Sequence, residues 1–242
     1  MKRHIVYRSI KLTILFLKEQ FKEPTAILWT IISPSLFYYL LRYTSDHQSK
    51  LNSDYVEDSA WFYAYIASSV GLFGFSLYII GRRESGFVRS FIYSMDSKIV
   101  FLTAQLLSYS LIAIIYCCTF YVLTKVLSGE FYGLELLNIA TRFYACFLIF
   151  CSIGLLLTLL PLTFQNSSTL FSIILFTMIA LGFANPIIDD IGYLNPLQTA
   201  KNIMRTGPLE NIEALAISIT TLLATLLCSM KYLRINPIWS RY

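Results

Sequence analysis

The sequence predicts an all-α polytopic membrane protein of six transmembrane helices with both termini cytoplasmic, and three observations carry that reading. First, of 242 residues 56% are apolar, 16% aromatic and only 14% charged, against about 25% charged in soluble domains. So few charges cannot cover a water-facing surface, which excludes a soluble globule, a disulfide scaffold and a disordered chain. Second, the charges sit in blocks and leave uncharged runs at 24–41, 59–81, 99–124, 143–188 and 214–230. A bilayer-spanning helix needs about 20 apolar residues, so four runs give one span each and the 46-residue run gives two.

The third observation is where the basic residues fall. With the N-terminus inside, the segments 1–23, 82–98, 163–168 and 231–242 hold 13 of the 19 basic residues and four acids, a net charge of +9. The outer segments carry −4, and the whole chain +5. This is the positive-inside bias of a membrane protein. Nucleic-acid binding would need a contiguous basic face on a folded surface, so no nucleic-acid partner is expected. The first long apolar run is followed by the charged loop from Arg42 and no small-residue cleavage site, and it reads as a retained span rather than a signal peptide.

Residues 5–23 are too charged to span. Val6, Ile10, Ile14, Leu17 and Phe21 recur at helical spacing, while Arg8, Lys11, Lys18 and Lys22 gather on another side. That is the pattern of an amphipathic helix in the cytoplasmic interface, and it suits an anchor to anionic lipid and a docking surface equally. Glu23-Pro24 ends it, because a residue before proline is pushed out of the helical region. The first span follows at about 25–42, with Trp29 near one end and Tyr38, Tyr39 and Tyr43 near the other as interface aromatics, and Pro34 predicts a kink within it.

The second span, about 60–80, carries Ala60, Ala64, Ala67, Gly71 and Gly74 at spacings of four, three, four and three. Such a ladder lets another helix backbone approach closely and reads as a packing seam, with a substrate groove as the other reading. The loop 82–96 is compact, of mixed charge, and long enough for one short helix. Spans at about 99–124 and 143–162 follow, joined outside by a short acidic loop. After Pro161 an uncharged turn, Phe164 to Ser168, leads into a fifth span at 167–184.

Before the last span, at 213–231, the chain is irregular over 185–208. Asn195 is a good helix cap, Pro196 suits the first helical position, Lys201 and Arg205 sit toward the negative helix end, and Gly207-Pro208 stops it. The short helix so specified cannot cross a bilayer and is either re-entrant or at the outer surface. No linker or repeat divides the chain, so residues 1–242 read as one domain.

The motifs of several chemistries are absent. There is no phosphate-binding P-loop, no zinc-protease H-E-x-x-H and no G-x-S-x-G elbow. The five cysteines fall within spans without metal-ligand spacing to His4 or His47, so no metal site is expected and the thiols read as small packing residues. The spans carry no ionisable residue of the kind that marks proton- or ion-driven carriers. A polytopic chain remains, with no energy source of its own and two basic elements suited to docking.

Over nearly its whole length the chain resembles the type-2 ABC transporter permeases. The stretch from Lys22-Glu23-Pro24 through Trp29 to Ser33-Pro34 is similar to that family's junction between interface helix and first span. Arg83-Glu84-Ser85-Gly86, continuing to Phe91, is similar to its R-E-x-G loop, and Leu194-Asn195-Pro196-Leu197 with Arg205 and Gly207 is similar to its stretch before the last span. The resemblance implies two permease chains paired with two copies of a separate ATPase, which binds ATP and magnesium. Arg82, Arg83, Glu84 and Gly86 would lie in or near the coupling helix, with Arg8, Lys11, Lys18 and Lys22 resting against the ATPase. Glu23 and Pro24 would form a hinge, and Asn195, Pro196, Arg205 and Gly207 would belong to re-entrant helices closing the outer mouth. The path would run along spans one, two and five, which makes Trp29, Tyr65, Ala67, Gly71, Phe73 and Gly74 candidates for packing or path lining, together with Phe171 and Phe176.

The expectation is therefore the membrane half-unit of an ATP-driven exporter in a bacterial plasma membrane, a homodimer with no enzymatic activity or cofactor of its own. The uncharged, aromatic-rich spans suit an amphiphilic small molecule or a modified peptide antibiotic, exported for instance in self-resistance. The outer loops are short, so no extracellular domain is expected. A glycan exporter of the same family, a membrane-embedded enzyme and a non-transporting scaffold or immunity protein are the competing readings; the enzyme finds no carboxylate or histidine cluster beside the spans.

Overall fold

The computed structural model of the chain describes residues 2–23, 25, 28–44, 55–126, 131–184, 195–207 and 212–232, and every element among them is a helix. In chain order these are α1 (Lys2–Gln20), α2 (28–44, a wide turn over Leu28–Ile32 running into Ser33–Thr44), α3 (Tyr55–Glu84) and α4 (Phe87–Phe91). They are followed by α5 (Met95–Lys125), α6 (Gly133–Thr158), α7 (Phe164–Ala184), α8 (Pro196–Thr206) and α9 (Ile212–Tyr232). Pro24 of the expected hinge and residues 185–194 and 208 of the expected outer segment lie outside the described residues.

Four helices, α3, α5, α6 and α7, are long and apolar enough to cross a membrane, which supports a multi-pass membrane protein. The places expected for the first and sixth spans are taken by α2 and α9, whose described apolar stretches are shorter. α6 starts at Gly133, well before the expected 143, because the charges in its first turns are engaged within the protein. Glu135 pairs with Lys125 at 3.1 Å and accepts from the Tyr121 hydroxyl at 3.0 Å. Arg142 is bound to α8, as described below.

The bundle has two distinguishable ends. At one, Lys98 donates from Nζ to the Met230 carbonyl at 2.7 Å, closing the C-terminal turn of α9. α1 lies at the same end against the first turns of α5: Ser9 and Thr103 share a hydroxyl hydrogen bond at 3.1 Å, and Thr13 donates to the Ala104 carbonyl at 3.4 Å. We call this the basic end, since Arg82, Arg83, Arg89 and Lys98 all belong to it. The opposite end holds the starts of α3 and α6 and the end of α5. There the Tyr55 hydroxyl meets those of Tyr63 and Thr124 at 3.0 and 2.7 Å.

The core is built around α3. Ala60, Ala64 and Ala67 are fully buried, and the seam continues through Gly71, where a Cβ would stand 2.6 Å from Phe150 Cβ and 3.0 Å from the Phe150 backbone. The facing glycine on α6 is Gly154, whose Cβ would stand 1.9 Å from Ser76 Oγ. Two helices approach this closely only where side chains are nearly absent. Over Val70–Ser76 α3 widens to a π-helical turn, and the Ser76 hydroxyl donates at 3.0 Å to the Gly71 carbonyl five residues back. α2 widens likewise just before Pro34, which has no N–H to give to the preceding turn. Ser35 donates there to the Ile31 carbonyl at 2.7 Å.

Candidate functional site

A stripe of α3 one step around from the seam carries larger and more polar residues: Tyr65, Ser69, Phe73, Tyr78 and Arg82. It forms one wall of a cavity of about 880 Å³. Tyr109, Ile112 and Tyr116 of α5 form a second wall, Trp29 and Thr30 of α2 a third, and Phe164 and Leu175 of α7 a fourth. The last turn of α1 and the residues after it, Glu19, Gln20, Lys22 and Glu23, border the cavity at the basic end. Its interior is thus aromatic and its mouth charged. Such a volume is in the range of small-molecule sites, roughly 300–1,000 Å³.

Arg82 holds this mouth together. Its Nη2 pairs with Glu19 Oε2 and donates to the Tyr78 hydroxyl at 2.6 Å, and that hydroxyl donates to the same Glu19 oxygen at 2.7 Å. The guanidinium carbon lies 4.9 Å from the ring centre of Phe16, 4.8 Å from Tyr78 and 4.5 Å from Phe87, within cation–π range of each. One side chain therefore ties α1, α3 and α4 together while facing the cavity. Phe16 backs it, fully buried and edge-on to Phe101 of α5 at 6.0 Å.

Arg83 points the other way. It is 1% exposed, and from there it pairs with Glu84 at 3.0 Å, donates to the Thr158 carbonyl at 3.4 Å, and donates to the Leu162 carbonyl. It closes the C-terminal turn of α6, where carbonyls lack helical partners. Glu84 is buried as well. Gly86 holds φ at +78°, a left-handed turn that separates α3 from α4. Of the residues expected to couple to an ATPase, then, Arg82 and Lys22 line the cavity, Arg83 and Glu84 are internal, Arg8 is half-buried, and Lys11 and Lys18 are exposed.

At the opposite end α8 is fastened to three helices. Asn195 caps it, accepting from Leu197 N at 3.0 Å, and donates from Nδ2 to the Met178 carbonyl of α7 at 2.7 Å. Arg205 pairs with Glu57 of α3. Arg142 of α6 donates from Nη1 to the Met204 and Arg205 carbonyls at 2.8 and 2.7 Å, while its Nε is held by Asn138 at 3.1 Å. Pro196 opens the helix and Gly207, at φ +103°, ends it beside the Arg142 guanidinium.

The aromatic and small residues expected to pack or line a path divide into groups. Trp29, Tyr65, Phe73 and Gly74 line the cavity, whereas Ala67 and Gly71 are packed against α6 or within the core. Phe171 is buried behind Phe73, their ring centres 6.3 Å apart. Phe176 is 72% exposed and faces away from the cavity, because it follows Leu175 by one residue and so points about 100° around the helix.

Among curated proteins, the chain is similar to Protein McbE of Escherichia coli. The two are 25% identical over 240 residues, covering 96% of this chain and 98% of McbE. The likeness therefore spans nearly the full length of both chains. No family model matches the chain, and no solved structure matches it.

Residue-level reading of the sequence missed Glu19, Tyr78, Tyr109 and Arg142. A usable signal existed for Tyr78, since it lies four residues before Arg82 on one helical face. For the bonds of Arg142 to α8 there was none, because they go to backbone carbonyls 62 and 63 residues away.

Proposed function

We propose that this chain is the membrane-spanning subunit of an ATP-driven exporter of the type-2 ABC permease kind, six spans with both termini cytoplasmic, in a bacterial plasma membrane. Two copies pair, and two copies of a separate ATPase bind at the basic end and hydrolyse ATP with magnesium. The cargo is an amphiphilic small molecule or a modified peptide antibiotic. One observation supports the reading above all: the cavity shares its mouth with the two elements that the resemblance assigns to coupling, α1 and the loop after α3, through the single side chain of Arg82.

In this reading the force from the ATPase enters at the exposed residues Ser85, Arg89 and Ser90. Arg83 and Glu84 pass it inward to the end of α6, and Arg82 passes it to α1 and the cavity. A ligand biases such a cycle only by binding its states unequally, so cargo in the cavity must prefer one position of the mouth. At the other end α8, held by Asn195, Arg142 and Arg205, closes the path outward. The aromatic interior suits an apolar or aromatic cargo; a glycan would ask for polar residues along the path besides stacking aromatics.

The test is copurification of the chain with an ATPase from its own cell, followed by reconstitution in vesicles. Hydrolysis that is sensitive to vanadate and requires this chain is the expected result. A chain that copurifies with no ATPase, or leaves hydrolysis unchanged, is a scaffold or immunity protein instead.

A further inference from the structure

We propose that the cavity receives an amphiphile with a carboxylate at one end, and that Arg82 binds this carboxylate in exchange for Glu19; the proposal rests on the exporter reading for its meaning but not for its test. The cavity is graded from aromatic walls at Tyr65, Phe73 and Tyr116 to charged groups at its mouth, which orients an amphiphile with its polar end at the basic end. At that mouth the guanidinium of Arg82 is held among the rings of Phe16, Tyr78 and Phe87, and its side chain is 14% exposed. A guanidinium fixed in this way is preorganised for a carboxylate, whose two oxygens match its fork of donors.

The partner it has now is itself a carboxylate. Glu19 stands in the last turn of α1, and its side chain is 39% exposed, so displacement returns it to water rather than burying an unpaired charge. A second carboxylate arriving through the cavity thus replaces like with like at little desolvation cost. Phe16 and Phe87 lie against the guanidinium independently of Glu19, so the rings keep Arg82 in place while its ion pair to the last turn of α1 is exchanged. Cargo binding and the Glu19 ion pair are then alternatives at one side chain, and an occupied cavity loosens the last turn of α1 from the coupling loop without any longer-range rearrangement.

The experiment uses the full chain in nanodiscs of neutral phosphatidylcholine, with dansyl-phenylalanine and its carboxamide as probes and fluorescence anisotropy as the readout. The acid is expected to bind about tenfold tighter than the amide, the factor that a hydrogen-bonded charge confers. Arg82→Gln removes the preference, so that acid and amide bind alike, and saturable binding of the amide shows that the variant folds. Glu19→Gln removes the competing carboxylate and tightens the acid several-fold. Equal binding of acid and amide by the natural chain overturns the proposal, as does a preference that survives in Arg82→Gln or the lack of saturable binding by either probe. If Arg82→Gln yields no folded protein, Glu19→Gln decides, and unchanged acid affinity there overturns it. A chain that selects the acid through Arg82 yet recruits no ATPase keeps the site and loses the exporter reading; one that recruits the ATPase and ignores the carboxylate does the reverse.

Discussion

Neighbouring arginines at 82 and 83 do different work, and the difference follows from which side of α3 each occupies. Arg83 is buried with Glu84 and satisfies two carbonyls beyond its own helix. Removing one partner of such a pair leaves an uncompensated buried charge, at a cost of about 3–5 kcal/mol. Arg83→Ala is accordingly expected to lower the yield of folded protein and its melting temperature sharply, and Arg83→Lys to rescue little, since an ammonium lacks the planar fork. Arg89→Ala, on the exposed face of the loop, leaves stability unchanged and affects ATPase association alone. Thermal melts in detergent beside copurification separate the two effects. A mutation of Arg83 that spared stability would place the side chain elsewhere than against α6.

Gly71 and Gly74 of α3 make a similar contrast. At Gly71 a Cβ meets the backbone of Phe150 and Cys151, whereas at Gly74 it meets the ring of Tyr109 at 2.6 Å. Backbone cannot yield but a ring beside a cavity can. Gly71→Ala is expected to cost about 1–3 kcal/mol through overpacking, visible as a lower melting temperature. Gly74→Ala keeps a folded protein with Tyr109 pushed into the cavity, and weakens binding of the dansyl probes.

At the scale of the element, the sequence signals that survive are those whose cause is local. Asn195, Pro196 and Gly207 mark the ends of α8 because capping and left-handed termination need only neighbouring residues. The small-residue ladder marks the seam of α3 because helix approach depends on side-chain size along one face. On the same helix Tyr65 and Phe73 came forward as packing or path candidates only through the resemblance, and Tyr78 not at all, since they become lining residues only when α2, α5 and α7 leave a space in front of them. The early start of α6 was hidden for the converse reason. Charges at Glu135 and Arg142 look like loop until their partners on α5 and α8 are known.

The fastening of α8 yields a prediction at this scale. Arg142→Ala removes two charge-assisted hydrogen bonds from the last turn of α8, each worth about 1.5–3 kcal/mol. The amide of Gly207, which bonds to the Ile203 carbonyl at 3.0 Å, is expected to exchange with deuterium at least tenfold faster. Amides near Asn195 keep their protection, because the cap and its bond to α7 are untouched. Uniform loss of protection across α8 would mean that its two ends are not fastened independently.

For the whole molecule the decisive quantity is which end faces the cytoplasm. The basic end gathers α1, the loop after α3, the start of α5 and the end of α9, while the opposite end carries Glu57, Glu135 and the α8 fastening. Chain order alone requires these ends to alternate along α3, α5, α6 and α7, so one orientation fixes every loop. Basic residues are retained on the cytoplasmic side during insertion, so the proposed orientation has the basic end inside. Tyr93 and Leu134 are both highly exposed and stand at opposite ends of the bundle, and neither makes a contact that a cysteine would break. In a background in which the native cysteines are replaced, Leu134→Cys is expected to react with a membrane-impermeant maleimide on intact cells, and Tyr93→Cys only after permeabilisation. Reversed labelling would invert the orientation and put the Arg82 mouth out of reach of the proposed ATPase. Labelling of both from outside would break the alternation itself, and with it the spanning assignment of α5, the helix that separates them.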